Sequence, residues 1–167
     1  MSQFVLSVIF IFFAAQSIAA QIINENPLSI ESSFFSKKTA EVSAEVELQI
    51  NVLLAEKHHA YTKQFKLKPQ NPEIEVRPLV VNPTVEFYDK FSKKNKMGIT
   101  DRATIKTSFE VPTSLASGPN QIKFILQYQA CTEEYCLMPI DLNLSASLDV
   151  INPNLILRPE EKSFPSF

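Results

Sequence analysis

The chain has 167 residues, a formal net charge of −2, 45% hydrophobic side chains, and only two glycines, two histidines and two cysteines. So few glycines exclude a glycine-rich phosphate loop. The basic residues are scattered, which argues against a nucleic-acid partner, and the one local cluster, Lys93, Lys94 and Lys96, reads as a solvated loop. The first element in chain order is the opening "MSQFVLSVIFIFFAAQSIAA", with an apolar run from Phe4 to Ala15 and small residues at Ser17, Ala19 and Ala20. A run of about twelve residues has the length of a signal-peptide core and falls short of a membrane span. Residues 1–20 are therefore expected to be a signal peptide, with an uncleaved anchor as the alternative because the segment before the run lacks Lys and Arg. No later run reaches spanning length, so both cysteines are assigned to a soluble, secreted domain in an oxidising compartment, where disulfides persist.

The rest reads as β structure. From Val42 to Val52 the apolar residues Val42, Ala44, Val46, Leu48, Ile50 and Val52 alternate with Ser43, Glu45, Glu47, Gln49 and Asn51, the period of a strand with one buried face. The same period recurs at Ile105, Thr107, Phe109 and Val111, at Ile122, Phe124, Leu126 and Tyr128, and from Ile140 to Val150. Weaker strands are expected at 28–35, 60–67 and 73–80. Turn signals separate them: "KPQNP" at 68–72, "NP" at 82–83, "SGPN" at 117–120 and "NP" at 152–153. Seven or eight short strands at this spacing predict an all-β fold, an immunoglobulin-like antiparallel β-sandwich, spanning residues 21–151 as one domain. Residues 152–167, rich in proline and charge, are expected to form a loose tail.

Both cysteines fall in "LQYQACTEEYCLMPI" (126–140), with four residues between Cys131 and Cys136. The strand ending at Tyr128 is followed by a polar turn through "TEEY" and re-entry into the sheet near Leu137. The pair then flanks a hairpin-like turn, where the Cα separation of about 4.4–6.8 Å usual for a disulfide is within reach. A loop this short removes only ~2 kcal/mol of chain entropy when closed, and a sandwich of this size has a sufficient core without it. Spacing alone leaves three readings open: a structural staple, a redox pair and a metal half-site. His58 and His59 are adjacent, so on a strand they point to opposite faces and do not serve one ion together. One histidine with both cysteines is the remaining metal set, suited to Cu(I) or Zn(II). Neither Gly-x-Ser-x-Gly nor His-Glu-x-x-His occurs, and the carboxylate pair Glu45 and Glu47 alternates onto the solvent face, so hydrolase chemistry has no support.

"YQAC", followed after four residues by "CLMP", resembles the active-site turn of the amino-terminal periplasmic domains of the thiol:disulfide interchange protein DsbD. "HHAYTKQFKL" (58–67) is similar to that family's aromatic strand beneath the cysteines, and "VEFYDKF" (85–91) to its cap loop. The resemblance covers most of residues 25–150. It implies an immunoglobulin-like periplasmic carrier of reducing equivalents that needs neither cofactor nor metal. Its reducing partner would be a membrane-embedded reductase domain on a separate chain, acting through a thioredoxin-like domain. Its clients would be thioredoxin-like periplasmic proteins, among them disulfide isomerases and those of cytochrome c maturation. By position, Cys136 matches the exposed cysteine that forms the mixed disulfide, and Cys131 the one that resolves it. Phe87 matches the cap aromatic, with Glu86 beside it; Tyr61 matches a tyrosine near the sulfurs, and Tyr128 is that of the Tyr-Gln-x-Cys strand end. The chain departs from the pattern at Val85, where an acidic residue is usual, at His58 or His59, where an aromatic is common, and at Met138, where a proline is common. Glu133 and Glu134 sit in the turn and no Lys or Arg lies between Gln127 and Pro139. Acidic neighbours disfavour the thiolate, so a guarded pair is expected. The alternatives that remain are a secreted β-sandwich binding module with a structural disulfide and a Cu/Zn metallochaperone.

Overall fold

The computed structural model describes residues 26–153; the expected signal peptide at 1–20 and all but the start of the expected tail lie outside the described residues. In chain order the strands are β1 (Leu28–Phe35), β2 (Thr39–Glu41), β3 (Glu45–Leu54), β4 (His59–Tyr61), β5 (Lys66–Pro69) and β6 (Val80–Asn82). There follow β7 (Val85–Asp89), β8 (Lys94–Ile99), β9 (Ala103–Glu110), β10 (Gly118–Tyr128), β11 (Ala130–Cys131) and β12 (Ile140–Ile151). One short 3-10 turn, Thr62–Gln64, separates β4 from β5.

Two four-stranded sheets, ordered β1-β3-β9-β6 and β2-β12-β10-β5, make the sandwich. Pairing is antiparallel except between β12 and β2. The alternation visible in the sequence sets which side of each strand is buried. Leu48, Ile50, Val52, Ile105, Phe109, Phe124, Leu126 and Leu148 are all essentially inaccessible and interdigitate between the sheets, as the period of two requires. β1 carries a bulge between Ile30 and Ser32, which breaks its alternation in mid-strand. Tyr128 is fully buried at the end of β10, stacked on Phe65, and its hydroxyl bonds the Asn26 side chain and accepts from the Leu28 amide at 3.2 Å. Those bonds satisfy the one polar atom that this core side chain brings with it.

The strand expected at 28–35 is found at those residues. The one expected at 60–67 is split by the 3-10 turn, and that at 73–80 is confined to β6. Between Asn71 and Leu79 the side chains do alternate, with Ile74 buried and Val76 half-buried. The backbone bonds are turn-like, however: Ile74 N–H donates to Asn71 O, and Arg77 N–H makes a single link to Ser108 O at 2.8 Å. A third sheet, ordered β11-β4-β8-β7, is hydrogen-bonded separately from the two sandwich sheets, contributes Ala60, Ile99 and Ala130 to the core, and carries Cys131, to which Cys136 is bridged.

Candidate functional site

The site is assembled on this third sheet. Ala130 pairs with Ala60, and Cys131 with His59, across the antiparallel β11–β4 ladder. Ala60 and Ala130 belong to the hydrophobic core, so alternation turns Cys131, His59 and Tyr61 to the other face. Cys131 is nevertheless 0% exposed and Tyr61 only 6% exposed, although neither is part of the core cluster. Their cover comes from outside the sandwich.

Cys131 and Cys136 form a disulfide and face each other across an isolated antiparallel bridge. The flanking bonds, Leu137 N–H to Ala130 O at 2.9 Å and Thr132 N–H to Tyr135 O at 2.8 Å, make this a non-hydrogen-bonded pair. That arrangement brings Cα atoms closest, and here they are 3.9 Å apart, shorter than the separation expected from the sequence. The tip is built by Thr132, whose hydroxyl accepts from the amides of Glu134 and Tyr135, both at 3.2 Å. The Gln129 side chain closes the base by donating to Leu137 O at 2.9 Å. Within this turn the two cysteines differ sharply: Cys131 is buried, and Cys136 is exposed.

Strands β7 and β8 form a hairpin beside the pair, where the sequence suggested a cap loop. The Phe87 ring lies 4.5 Å from the His59 ring and is stacked on Tyr61 at 5.4 Å between centroids. It can lie there because Gly98 has no side chain. A Cβ on Gly98 would fall 2.6 Å from Phe87 Cε1 and 2.5 Å from the Ala60 carbonyl oxygen. Only glycine at position 98 therefore leaves room for the Phe87 ring at this close approach.

The far end of the hairpin is held by Asp89, a carboxylate with 2% exposure. Lys96 bonds it at 2.6 Å, the Phe91 and Ser92 amides donate to it at 3.1 and 3.2 Å, and the Ser92 hydroxyl also donates to it. Lys96 first, and Ser92 next, hold the Asp89 carboxyl well below the usual carboxylate range against the opposing effect of burial. Lys96 also sits 4.3 Å above the Tyr61 ring, a cation–π contact. The Tyr61 hydroxyl is buried without a hydrogen bond of good geometry; burial, with the Asp89 carboxylate close by, pushes its pKa up to about 12.

One ion pair spans from hairpin to cysteine turn: Lys90 Nζ to Glu133 Oε2, 3.0 Å, exposed on both sides. Lys90 holds the Glu133 carboxyl below its ordinary value. The basic partner missing from the turn itself is thus supplied by the hairpin. Between the two elements lies a cleft of about 310 Å³, lined by His59, Phe87, Lys90, Thr132 and Glu133 among others.

Of the residues singled out from the sequence, Cys131, Cys136, Tyr61 and Phe87 meet at this sheet. Glu86 is exposed on β7. Tyr128 points into the sandwich core, on the face opposite Cys131, so it anchors the strand that delivers the cysteines. Lys93 and Lys94 are exposed as a solvated loop would have them, but Lys96 is the counter-ion of a buried carboxylate. The histidines separate as adjacent strand residues must: His59 joins the rings, and His58 Nδ1 lies 3.0 Å from Glu56 O. Asp89, Lys90 and Gly98 were not singled out. The usable signal was the run of small or charged residues after "VEFY", which marks a tight hairpin. Among the described residues no group of three or more His, Cys, Asp or Glu side chains is gathered as metal ligands would be.

The family described as "Thiol:disulfide interchange protein DsbD, N-terminal" matches residues 25–146. A thiol:disulfide interchange protein DsbD of Actinobacillus pleuropneumoniae is 22% identical over 122 residues, covering 73% of this chain and 19% of that protein. The chain thus matches about a fifth of that relative's length. The crystal structure of the Neisseria meningitidis DsbD N-terminal domain in the reduced form superposes with a TM-score of 0.50 at 19% identity, covering 65% of this chain and 82% of that one. The structure of the Neisseria meningitidis DsbD N-terminal domain in complex with the PilB N-terminal domain gives 0.48 at 16% identity, covering 75% and 87%. With the family matched over most of its length, on an immunoglobulin-like β-sandwich carrying a cysteine pair at one end, this chain belongs to the DsbD N-terminal domain family.

Proposed function

We propose that residues 21–151 form a periplasmic thiol–disulfide exchange domain, exported by a signal peptide at 1–20, with Cys131 and Cys136 as its redox pair. In the dithiol state the Cys136 thiolate attacks one sulfur of a client disulfide. That S–S bond breaks, one client thiolate leaves, and a Cys136–client mixed disulfide forms. The Cys131 thiolate then attacks Cys136 Sγ, releases the second client thiolate and closes the Cys131–Cys136 disulfide. The client gains two electrons, and the two protons given up by the pair balance its two thiols. A membrane-embedded reductase domain returns two electrons through a thioredoxin-like domain. Family resemblance supplies these partner classes, with thioredoxin-like periplasmic proteins as clients.

The observation that carries this reading is the asymmetry of the pair: an exposed Cys136 beside a Cys131 that is fully buried outside the sandwich core. A nucleophile must be reached by a partner, whereas a resolving thiol need only reach its neighbour. The surroundings agree with docking. Of nine exposed large hydrophobics among the described residues, six (Val85, Tyr88, Phe91, Met97, Tyr135 and Met138) lie on the β7–β8 hairpin or the cysteine segment. A staple reading draws less support, because the bond closes a loop of five-residue separation within one turn and ties no two sheets together.

The test is trapping. Cys131→Ala should accumulate a mixed disulfide through Cys136 with a thioredoxin-like protein, and Cys136→Ala should trap far less. Equal trapping by both variants, or none by either, rejects the assignment.

A further inference from the structure

Resolution of the mixed disulfide poses a problem that the geometry of the site makes specific. Cys131 must lose a proton to attack, yet it is fully shielded from solvent. Of the groups around it, Asp89 is committed to Lys96, and Tyr61 titrates near 12. Glu133 is paired with Lys90. The side chain directly opposite Cys131 in the β11–β4 register is His59. Residues opposite one another in an antiparallel pair project from the same face with Cβ atoms about 4.5–5.5 Å apart, so imidazole and thiol are neighbours.

We propose that His59 is the acid–base group of the Cys131 thiol, taking its proton as the thiol attacks the mixed disulfide and handing it on to the departing client thiolate. The inference rests on the exchange reading above and adds a residue to it. In the step, the Cys131 S–H bond breaks and its proton passes to an imidazole nitrogen. The sulfur's electron pair forms the bond to Cys136 Sγ, the Cys136–client bond breaks, and the client sulfur leaves as a thiolate that takes the proton. No external reductant or oxidant is needed.

The surroundings keep His59 ready for this. Burial lowers its pKa from the ordinary value, Asp89 and Glu133 oppose the shift, and His58 and Lys96 add to it. Tyr61 and Phe87 pack against its ring. A neutral imidazole at neutral pH has one nitrogen free to accept a proton.

The reduced chain, mixed with dithiobis-nitrobenzoate, should release thionitrobenzoate in two phases: attack by Cys136, then resolution by Cys131. His59→Phe keeps a ring against Phe87 and removes the base. Its second phase should slow about tenfold at pH 7, the loss that follows when the thiol's effective pKa rises by about one unit, while the first phase stays within about twofold. The second phase of the wild type should fall as pH drops through the His59 titration, and the variant should lack that inflection. Unchanged second-phase rate and pH profile in His59→Phe would overturn this inference alone. A wild type that never releases the second thionitrobenzoate overturns the exchange reading and this inference with it. A measurement on the unmutated chain guards against misfolding: the His59 ring pKa, followed by NMR, should differ between reduced and oxidised protein, and identical curves would also overturn the inference.

Discussion

Replacing Phe87 with alanine separates a cap from a core residue. Phe87 is half-buried, lies outside the core cluster, and touches two rings, His59 at 4.5 Å and Tyr61 at 5.4 Å. Burying half of a Phe side chain contributes roughly 1 kcal/mol, and ring contacts of this kind add ~0.5–1.5 kcal/mol. The expected loss is therefore about 2 kcal/mol, against ~3–5 kcal/mol for truncating a fully buried Phe. For a domain of this size 2 kcal/mol is a fall in Tm on the order of 8 °C. The same contacts hold the ring over the face that carries Cys131, so a reagent must first displace it. Two kcal/mol corresponds to a factor of ~30 in the population of the open state, which bounds the gain in reactivity. Alkylation of Cys131 in the reduced chain by iodoacetamide, resolved from that of the exposed Cys136 by mass spectrometry, should accelerate about tenfold in Phe87→Ala, measured beside thermal unfolding of the same variant. A stability loss in the full-burial range with thiol reactivity unchanged would refute the cap.

Gly98→Ala should act on the same ring from below. Its Cβ would meet Phe87 Cε1 and the Ala60 carbonyl inside 3 Å, so a destabilisation of roughly 1–3 kcal/mol is expected from overpacking, with faster alkylation; chemical denaturation and the alkylation assay check both. Asp89→Asn should lower Tm at pH 7, because it leaves Lys96 without its counter-ion. The folded carboxyl titrates below its unfolded value, so its stabilisation is complete above the unfolded pKa of about 3.9 and fades as pH falls below that. The Tm difference between wild type and variant should accordingly shrink on acidification below pH 4, and a constant difference across that range would contradict the buried pair.

The sandwich was legible because one face of each strand is dry. The alternation from Val46 to Val52 and from Ile122 to Tyr128 is the burial pattern itself. Residues 73–79 misled for a related reason: Ile74 and Val76 alternate inward, but side-chain period carries no information about whether a backbone partner lies alongside. The cysteine turn and its aromatic neighbours were readable as a motif. The hairpin over them was not read as strands, because its faces pack against a small sheet and solvent, leaving Tyr88 and Phe91 exposed and Asp89 buried. A buried carboxylate gives no periodic signal; only its partners, Ser92 and Lys96, identify it, and those emerge once β7 and β8 are paired. Likewise His59 acquires a role from register: Cys131 and His59 are 72 positions apart in sequence and directly opposite in space.

The central claim, that this disulfide is made and broken in function, rests on its reduction potential. Equilibration of the Cys131–Cys136 couple with glutathione or dithiothreitol buffers, read by alkylation and mass spectrometry, gives the value. An exchanging pair should fall between about −270 and −180 mV, the interval from thioredoxin to protein disulfide isomerase. A value below about −300 mV, where structural disulfides of secreted proteins lie, would contradict the account.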